Sequence, residues 1–171
     1  LVQFAADVNA GTGAQQMNVL LMNDIDLKDV AQWTPIGNGT FAATTAVSTP
    51  SGAAFEGTFD GQGYALRNLK MAATLTGDNQ AYGLFGVTST GVIAGASVES
   101  TIEDCTSYLP MECLGNGASG KLMTMGLVGF VYGAGTSDET VTKLIGLKNY
   151  GAMKAVPGAA NANGFTSTQV G

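Results

Sequence analysis

Apolar residues in the first turns of the chain recur at helical spacing, with Leu1, Phe4, Ala5 and Val8 on one face. Asn9 to Gly13 then carry a stop signal, so the pattern predicts a short amphipathic helix over 1–9 packed on a core. From Asn18 the period falls from 3.6 to 2. Val19, Leu21, Ile25 and Leu27 share one side of MNVLLMNDIDL, while Leu20, Met22, Asp24 and Asp26 share the other. This predicts a strand bent near Asn23-Asp24. A second strand is predicted over Gly63 to Met71, where Leu66, Leu69 and Met71 fall on one side only if the chain bends at Arg67-Asn68.

That bend recurs as apolar, two residues, apolar: Leu66 to Leu69, Ile93 to Ala96, Ile102 to Cys105 and Val141 to Leu144. A second recurrent element is Gly-Leu-x-Gly, at Gly83 to Gly86 and Gly126 to Gly129, with Asn163-Gly164-Phe165 opening a third copy. Spacings near 40 predict two coils of about 20 residues each, stacked as a parallel β-solenoid. Glycine belongs where backbones approach closely or φ is positive. The competing architecture is an antiparallel sandwich or barrel. It requires hairpin turns between adjacent strands, and Asp60-Gly61 is the one clear signal of that kind.

Composition narrows the function classes. Seven basic against thirteen acidic residues give a net charge of −6, with no basic stripe to meet phosphates, so no nucleic-acid partner is expected. Histidine is absent, which removes Ser-His-Asp and Cys-His catalysis and every His-ligated zinc site. The apolar run from Gly126 to Gly135 is too short and glycine-rich to span a bilayer. Low charge (12%) with 25 glycines suits an extracellular solenoid better than a cytosolic enzyme.

Four pieces occur in a fixed order: LVQFAADVNAG, LMNDIDLKDVAQWTPIG, FEGTFDGQGYALRNLKM and YGLFGVTSTGVIAGASV. The series resembles the GLUG-motif β-helix proteins secreted by gut bacteria or held on their surface, including adhesin-like and peptidase-associated proteins. The likeness runs best from Leu1 to about Val98, and Gly126 to Phe165 reads as weaker later repeats. Residues 99–125 and the Thr/Ala/Ser-rich stretch 39–54 depart from it. The resemblance implies an all-β fold, a right-handed parallel β-helix with a short N-terminal capping helix over 1–9. The whole of 1–171 would form one β-helix domain, with loop insertions at 39–54 and 106–120. The chain is expected to be a segment of a longer, exported protein lying outside the cell or on its surface.

Candidate chemistry is sparse. In an extracellular protein Cys105 and Cys113 would be bridged, closing a small loop that stabilises by roughly 2–3 kcal/mol. Otherwise Cys105 is a core residue and Cys113 a loop thiol. Asp24, Asp26 and Asp29 admit a calcium reading, but without a glycine-centred loop they read better as solvated carboxylates. Asp60 could be a catalytic acid, with Glu56 near it in sequence, yet FDGQG is foremost turn chemistry. No catalytic residue, metal or cofactor is therefore expected. Among the aromatic residues, Trp33, Tyr64 and Tyr82 are the candidates for stacking on a sugar. The reading that results is a non-catalytic, adhesin-like module contacting a glycan or a host surface protein. The alternatives are a pectate-lyase-like carbohydrate-active enzyme using Asp24, Asp26 or Asp60, and a purely structural stalk.

Overall fold

The structure, a computed structural model, describes residues 1–40, 51–68, 71–75, 80–90, 92–93, 96–97, 101–103, 106–107, 111–115, 123–125, 128–133, 143–145, 147–149 and 153–156. It opens with helix α1 (Val2–Asn9), followed by a 3-10 turn over Ala14–Gln16. Ala5 and Val8 are buried, and Leu1 and Phe4 pack against the same core, so the predicted apolar face is the packed one. Gly11 at φ 71° and Gly13 at φ 93° end the helical path, where residues with a Cβ are strained.

Strands then recur in the same order on each pass of the chain. The first pass holds β1 (Val19–Leu20), β2 (Ile25–Asp26), β3 (Gly39–Thr40) and β4 (Ser51–Gly52). The second holds β5 (Thr58–Asp60), β6 (Ala65–Arg67), β7 (Met71–Leu75), β8 (Gln80–Tyr82) and β9 (Phe85–Thr90). Two short strands follow, β10 (Val92–Ile93) and β11 (Ala96–Ser97). The third pass repeats the set as β12 (Thr101–Glu103), β13 (Thr106–Ser107), β14 (Met111–Gly115), β15 (Met123–Met125) and β16 (Val128–Gly133). The fourth adds β17 (Lys143–Ile145), β18 (Lys148–Asn149) and β19 (Met153–Val156).

Corresponding strands of successive passes pair in parallel. Val19, Phe59, Ile102 and Leu144 share one register position in the sheet ordered β1-β5-β12-β17. Ile25, Leu66, Ser107 and Asn149 do so in the sheet of β2, β6, β13 and β18. Met71, Met111 and Met153 align across β7, β14 and β19, Gln80 aligns with Met123, and Phe85 with Val128. In each of these parallel strand pairs the partner lies 40 to 43 residues further along the chain, as from Val19 to Phe59 or Phe59 to Ile102. A spacing near 40 is thus the distance to the adjacent strand, and not two coils of about 20. The cause is local: three to six short strands and their turns separate one strand from its parallel partner.

The apolar-x-x-apolar bends are not equivalent. At Leu66-Arg67-Asn68 the chain leaves β6 with Asn68 at φ 59°, and at Ile102 it passes from β12 towards β13. Ile93 and Ala96, by contrast, face each other across an antiparallel pair of β10 and β11. Asp60-Gly61, the one hairpin signal, is a turn that joins β5 to β6 in a different sheet and makes no hairpin. Its turn carries Gln62 at φ 50° and Gly63 at φ 76°, with the Tyr64 N–H bonded to the Gly61 carbonyl at 2.8 Å. Within 106–120, expected as a loop insertion, β13 and β14 are strands paired in parallel on both sides. Ladder hydrogen bonds there override weak local strand propensity.

Ile36 and Phe55, on either side of the stretch 39–54, both pair along β9. Ile36 bridges Phe85 and Phe55 bridges Thr88, both in parallel. Val87 N–H donates to Gly37 O at 2.7 Å, and Phe55 N–H donates to Val87 O at 2.9 Å. Between Ile36 and Phe55, Gly37 takes φ 76°, β3 and β4 pair antiparallel, and β3 also pairs antiparallel with β8.

Beneath these sheets the buried core comprises Val8, Ile36, Phe55, Phe59, Leu66, Leu84 and Phe85, each under 2% exposed. Burial on this scale stabilises by roughly 1.5–3 kcal/mol per large side chain. Four rings knit it together. Phe4 meets Phe55 edge-on at 5.9 Å, Phe59 meets Phe85 edge-on at 5.1 Å, and Phe55 lies 5.4 Å from Phe85. Helix α1 thereby joins the strand core through Phe4. The second glycines of both Gly-Leu-x-Gly copies mark close backbone approaches. A Cβ on Gly86 would lie 2.3 Å from Gly37 O, and one on Gly129 2.7 Å from Tyr82 N.

Candidate functional site

The period-2 segment from Asn18 to Leu27 sends its apolar side inward, where Leu21 and Leu27 are buried. Its other side is exposed, including Leu20, Met22, Asp24 and Asp26. Because β2 pairs in parallel with β6, Asp26 stands at the register of Arg67, and Asp24 reaches the strand's beginning. Asp24 Oδ1 accepts the Ala65 N–H at 2.9 Å, and Oδ2 accepts from Arg67 Nη2 at 3.1 Å and Nε at 3.3 Å. Asp26 Oδ1 accepts Asn68 Nδ2 at 2.9 Å and the Lys28 N–H at 3.0 Å. Two carboxylates, one guanidinium and one carboxamide are thus set in fixed positions on an open wall.

These contacts set the charge state. The Ala65 N–H, then the Arg67 side chain, hold the Asp24 carboxyl below the ordinary aspartate value. The Asn68 carboxamide and the Lys28 N–H do the same for Asp26. Both groups are ionised at neutral pH and neither stores a proton for donation. Asp24 and Arg67 are about half exposed, at 49% and 46% of their side-chain surface, so the pair stays open to solvent and solutes.

The other candidates lie elsewhere. Asp60 sits at the end of β5 and turns back on its own loop: Oδ1 accepts the Gln62 N–H at 2.9 Å, and Oδ2 accepts the Gln62 side chain. Glu56 bonds Gln16 at 3.3 Å and Ser89 at 3.5 Å, so Asp60 and Glu56 have separate partners. Asp29 is exposed. Among the described residues no three His, Cys, Asp or Glu side chains gather to hold a metal ion.

Of the three aromatic candidates, Trp33 is misplaced by the sequence reading. It is 3% exposed and donates Nε1–H to the carbonyls of Gly83 and Leu84, at 3.1 and 3.3 Å. A ring sealed in the core with its N–H committed offers no face to a sugar. Tyr82 is half-buried in β8 and packs against the core. Tyr64 is 37% exposed and immediately precedes Ala65, whose N–H Asp24 holds. Cys105 lies outside the described residues, and Cys113 stands in β14 at the register of Ala73 and Ala155.

Sequence reasoning missed two asparagines. Asn68 was read as part of a bend, yet its left-handed backbone aims its side chain at Asp26 on the neighbouring strand. Asparagine tolerates that conformation, which was the available signal. Asn9, in the last turn of α1, donates to Pro35 O and accepts the Asn38 N–H, both at 2.9 Å, and so ties the helix to the loop before β3. No periodicity pointed to it.

Comparison with protein families, with curated proteins and with solved structures finds no match to this chain. Among the described residues no helix is long and apolar enough to cross a membrane.

Proposed function

We propose that this chain is a right-handed parallel β-helix serving as a non-catalytic, adhesin-like module outside the cell, whose wall contacts a glycan. The parallel pairing at a displacement of 40 to 43 residues supports the architecture, and right-handed crossover is the hand that twisted parallel strands adopt. The likeness to GLUG-motif proteins supports the setting. The observation that carries the functional reading is the β2–β6 wall. Exposed Tyr64 immediately precedes Ala65, whose N–H is held by Asp24 in a fixed constellation with Arg67, Asp26 and Asn68. An aromatic face beside oriented donors and acceptors is what sugar rings and their hydroxyls engage.

The carbohydrate-active enzyme is the competing reading. Glycoside hydrolysis requires one carboxyl that holds a proton beside one that does not. Asp24 and Asp26 are both held ionised, and Asp60 is occupied by Gln62 in another sheet. That distribution favours binding over turnover.

A glycan array run beside a polysaccharide-degradation screen tests the reading. Binding without product, weakened about tenfold by Tyr64→Ala, is expected. Reducing-end or unsaturated product, abolished by Asp60→Ala, would install the enzyme. Silence in both assays would leave the stalk, and binding of a host surface protein alone would replace the ligand class.

A further inference from the structure

Resting on the glycan-contacting reading above, we infer that the β2–β6 wall selects a glycan without acidic groups, at least two sugar units long. Hydroxyls of one unit donate to Asp26, and the face of another rests on Tyr64. Strands β2 and β6 are parallel neighbours, so the groups that make this choice hold fixed places in one register.

Acceptors dominate the wall. Asp26 Oδ1 is filled by Asn68 Nδ2 at 2.9 Å and by the Lys28 N–H at 3.0 Å. No donor among the described residues meets Oδ2, and the residue is exposed. An ionised carboxylate accepts hydrogen bonds and donates none, so the group that completes Asp26 is a donor, which a sugar hydroxyl supplies. Asn68 commits a side-chain N–H to Asp26, which leaves its carbonyl oxygen as a further acceptor. The guanidinium that would draw an acidic sugar is engaged, with Arg67 Nε and Nη2 both donating to Asp24 Oδ2, at 3.3 and 3.1 Å. Over residues 24–29 and 60–68 four carboxylates, Asp24, Asp26, Asp29 and Asp60, outnumber two cations, Lys28 and Arg67. The other described cation of this sheet, Lys148 on β18, stands three strands from β2. At about 4.8 Å per strand that is about 14 Å, beyond the screening length at physiological salt. A carboxylate or sulfate on the ligand would therefore meet like charge, and hydroxyls would not.

Length follows from register. Asp26 pairs with Arg67, and Tyr64 lies three residues before Arg67. At about 3.3 Å per residue, Tyr64 and Asp26 stand about 10 Å apart along the strand direction, a span that one pyranose ring does not bridge and two linked rings do. The glycan thus runs with the strands and not across successive passes.

The test uses the full chain on an array that pairs neutral oligosaccharides with counterparts of the same linkage carrying carboxylates or sulfates, followed by calorimetry on the members bound. Neutral members are expected to bind. Their acidic counterparts and the matching monosaccharide should bind at least tenfold more weakly, and neutral affinity should change little between low and high salt. Asp26→Asn keeps an acceptor for Asn68 and the Lys28 N–H but replaces the open oxygen by a donor. It should weaken neutral glycans at least tenfold and narrow the gap to acidic ones, with an unchanged circular dichroism spectrum. Asp7→Asn, on α1 and outside the wall, should alter neither. Preference for acidic glycans, equal affinity for both kinds, a monosaccharide bound as tightly as its longer forms, or wild-type binding by Asp26→Asn would each overturn this selectivity while leaving a glycan-contacting wall. Absence of binding to any glycan would remove the underlying reading, and the selectivity with it.

Discussion

Replacing Gly86 by alanine tests whether parallel neighbours in this chain are held at a distance set by glycine. The added Cβ would lie 2.3 Å from Gly37 O, 3.0 Å from Pro35 Cβ and 3.2 Å from Ala81 O. The nearest atom is backbone, so no side-chain rotation relieves the contact. Relief requires the segment Ile36-Gly37 to move away from β9 by about 1 Å, the shortfall from an ordinary carbon–oxygen contact. That motion stretches two hydrogen bonds, Gly86 N–H to Ile36 O at 2.9 Å and Val87 N–H to Gly37 O at 2.7 Å. At about 1 kcal/mol net for each bond and about 1–3 kcal/mol for overpacking, the expected loss is about 3–5 kcal/mol. For a chain of this length the melting temperature should fall by roughly 6–20 °C.

Gly63 supplies the control. It has φ 76° but nothing within 4 Å of an added Cβ, so Gly63→Ala isolates backbone strain, at about 1 kcal/mol. Gly37 combines both penalties, with φ 76° and Val87 O at 2.2 Å. Urea unfolding should therefore rank Gly37→Ala as most damaging, then Gly86→Ala, then Gly63→Ala. Hydrogen exchange should show the Gly86 and Val87 amides losing protection in Gly86→Ala before distant strands do. A Gly86→Ala protein within about 0.5 kcal/mol of wild type, or more stable than Gly63→Ala, would refute close approach as the reason for this glycine.

Two further predictions concern the wall and the core. Asp24 and Asp26 have carboxyls lowered by folding, so their stabilisation is complete above the unfolded aspartate value and is lost as pH falls through the lower folded one. Acid titration of unfolding should show a shallower decline in Asp24→Asn, and Asp24→Ala should destabilise more than Arg67→Met, because the Ala65 N–H then loses its acceptor; equal effects would contradict the ranking of causes. Trp33, the one tryptophan, should emit at short wavelength, resist aqueous quenchers and ignore glycan addition, while Trp33→Phe should cost about 1–3 kcal/mol for the lost donor and ring volume. A solvent-like emission maximum would show that the ring is not enclosed.

Period and punctuation in the chain determined much of this architecture without help. The apolar face of α1 and the inward side of Val19 to Leu27 follow from 3.6 and 2.0 periodicity, because side-chain direction is fixed by local backbone geometry. The repeated glycines and bends likewise pointed to short strands recurring at intervals near 40 residues. What lay beyond the sequence was which recurrences meet. Pairing between Val19, Phe59, Ile102 and Leu144 depends on how much chain each pass consumes, so a spacing near 40 could be divided wrongly into shorter coils. Ile93 to Ala96 shares its residue pattern with the true bends but closes an antiparallel pair, because hydrogen-bond direction is settled between strands and not within one. The site divides the same way. Exposed Asp24 and Asp26 were legible from alternation, whereas their partners Arg67 and Asn68 lie more than 40 residues away in sequence and are delivered by register. Trp33 shows the limit most plainly: an amphipathic ring suits a core or a sugar surface equally, and only the carbonyls of Gly83 and Leu84 above its N–H decided for the core.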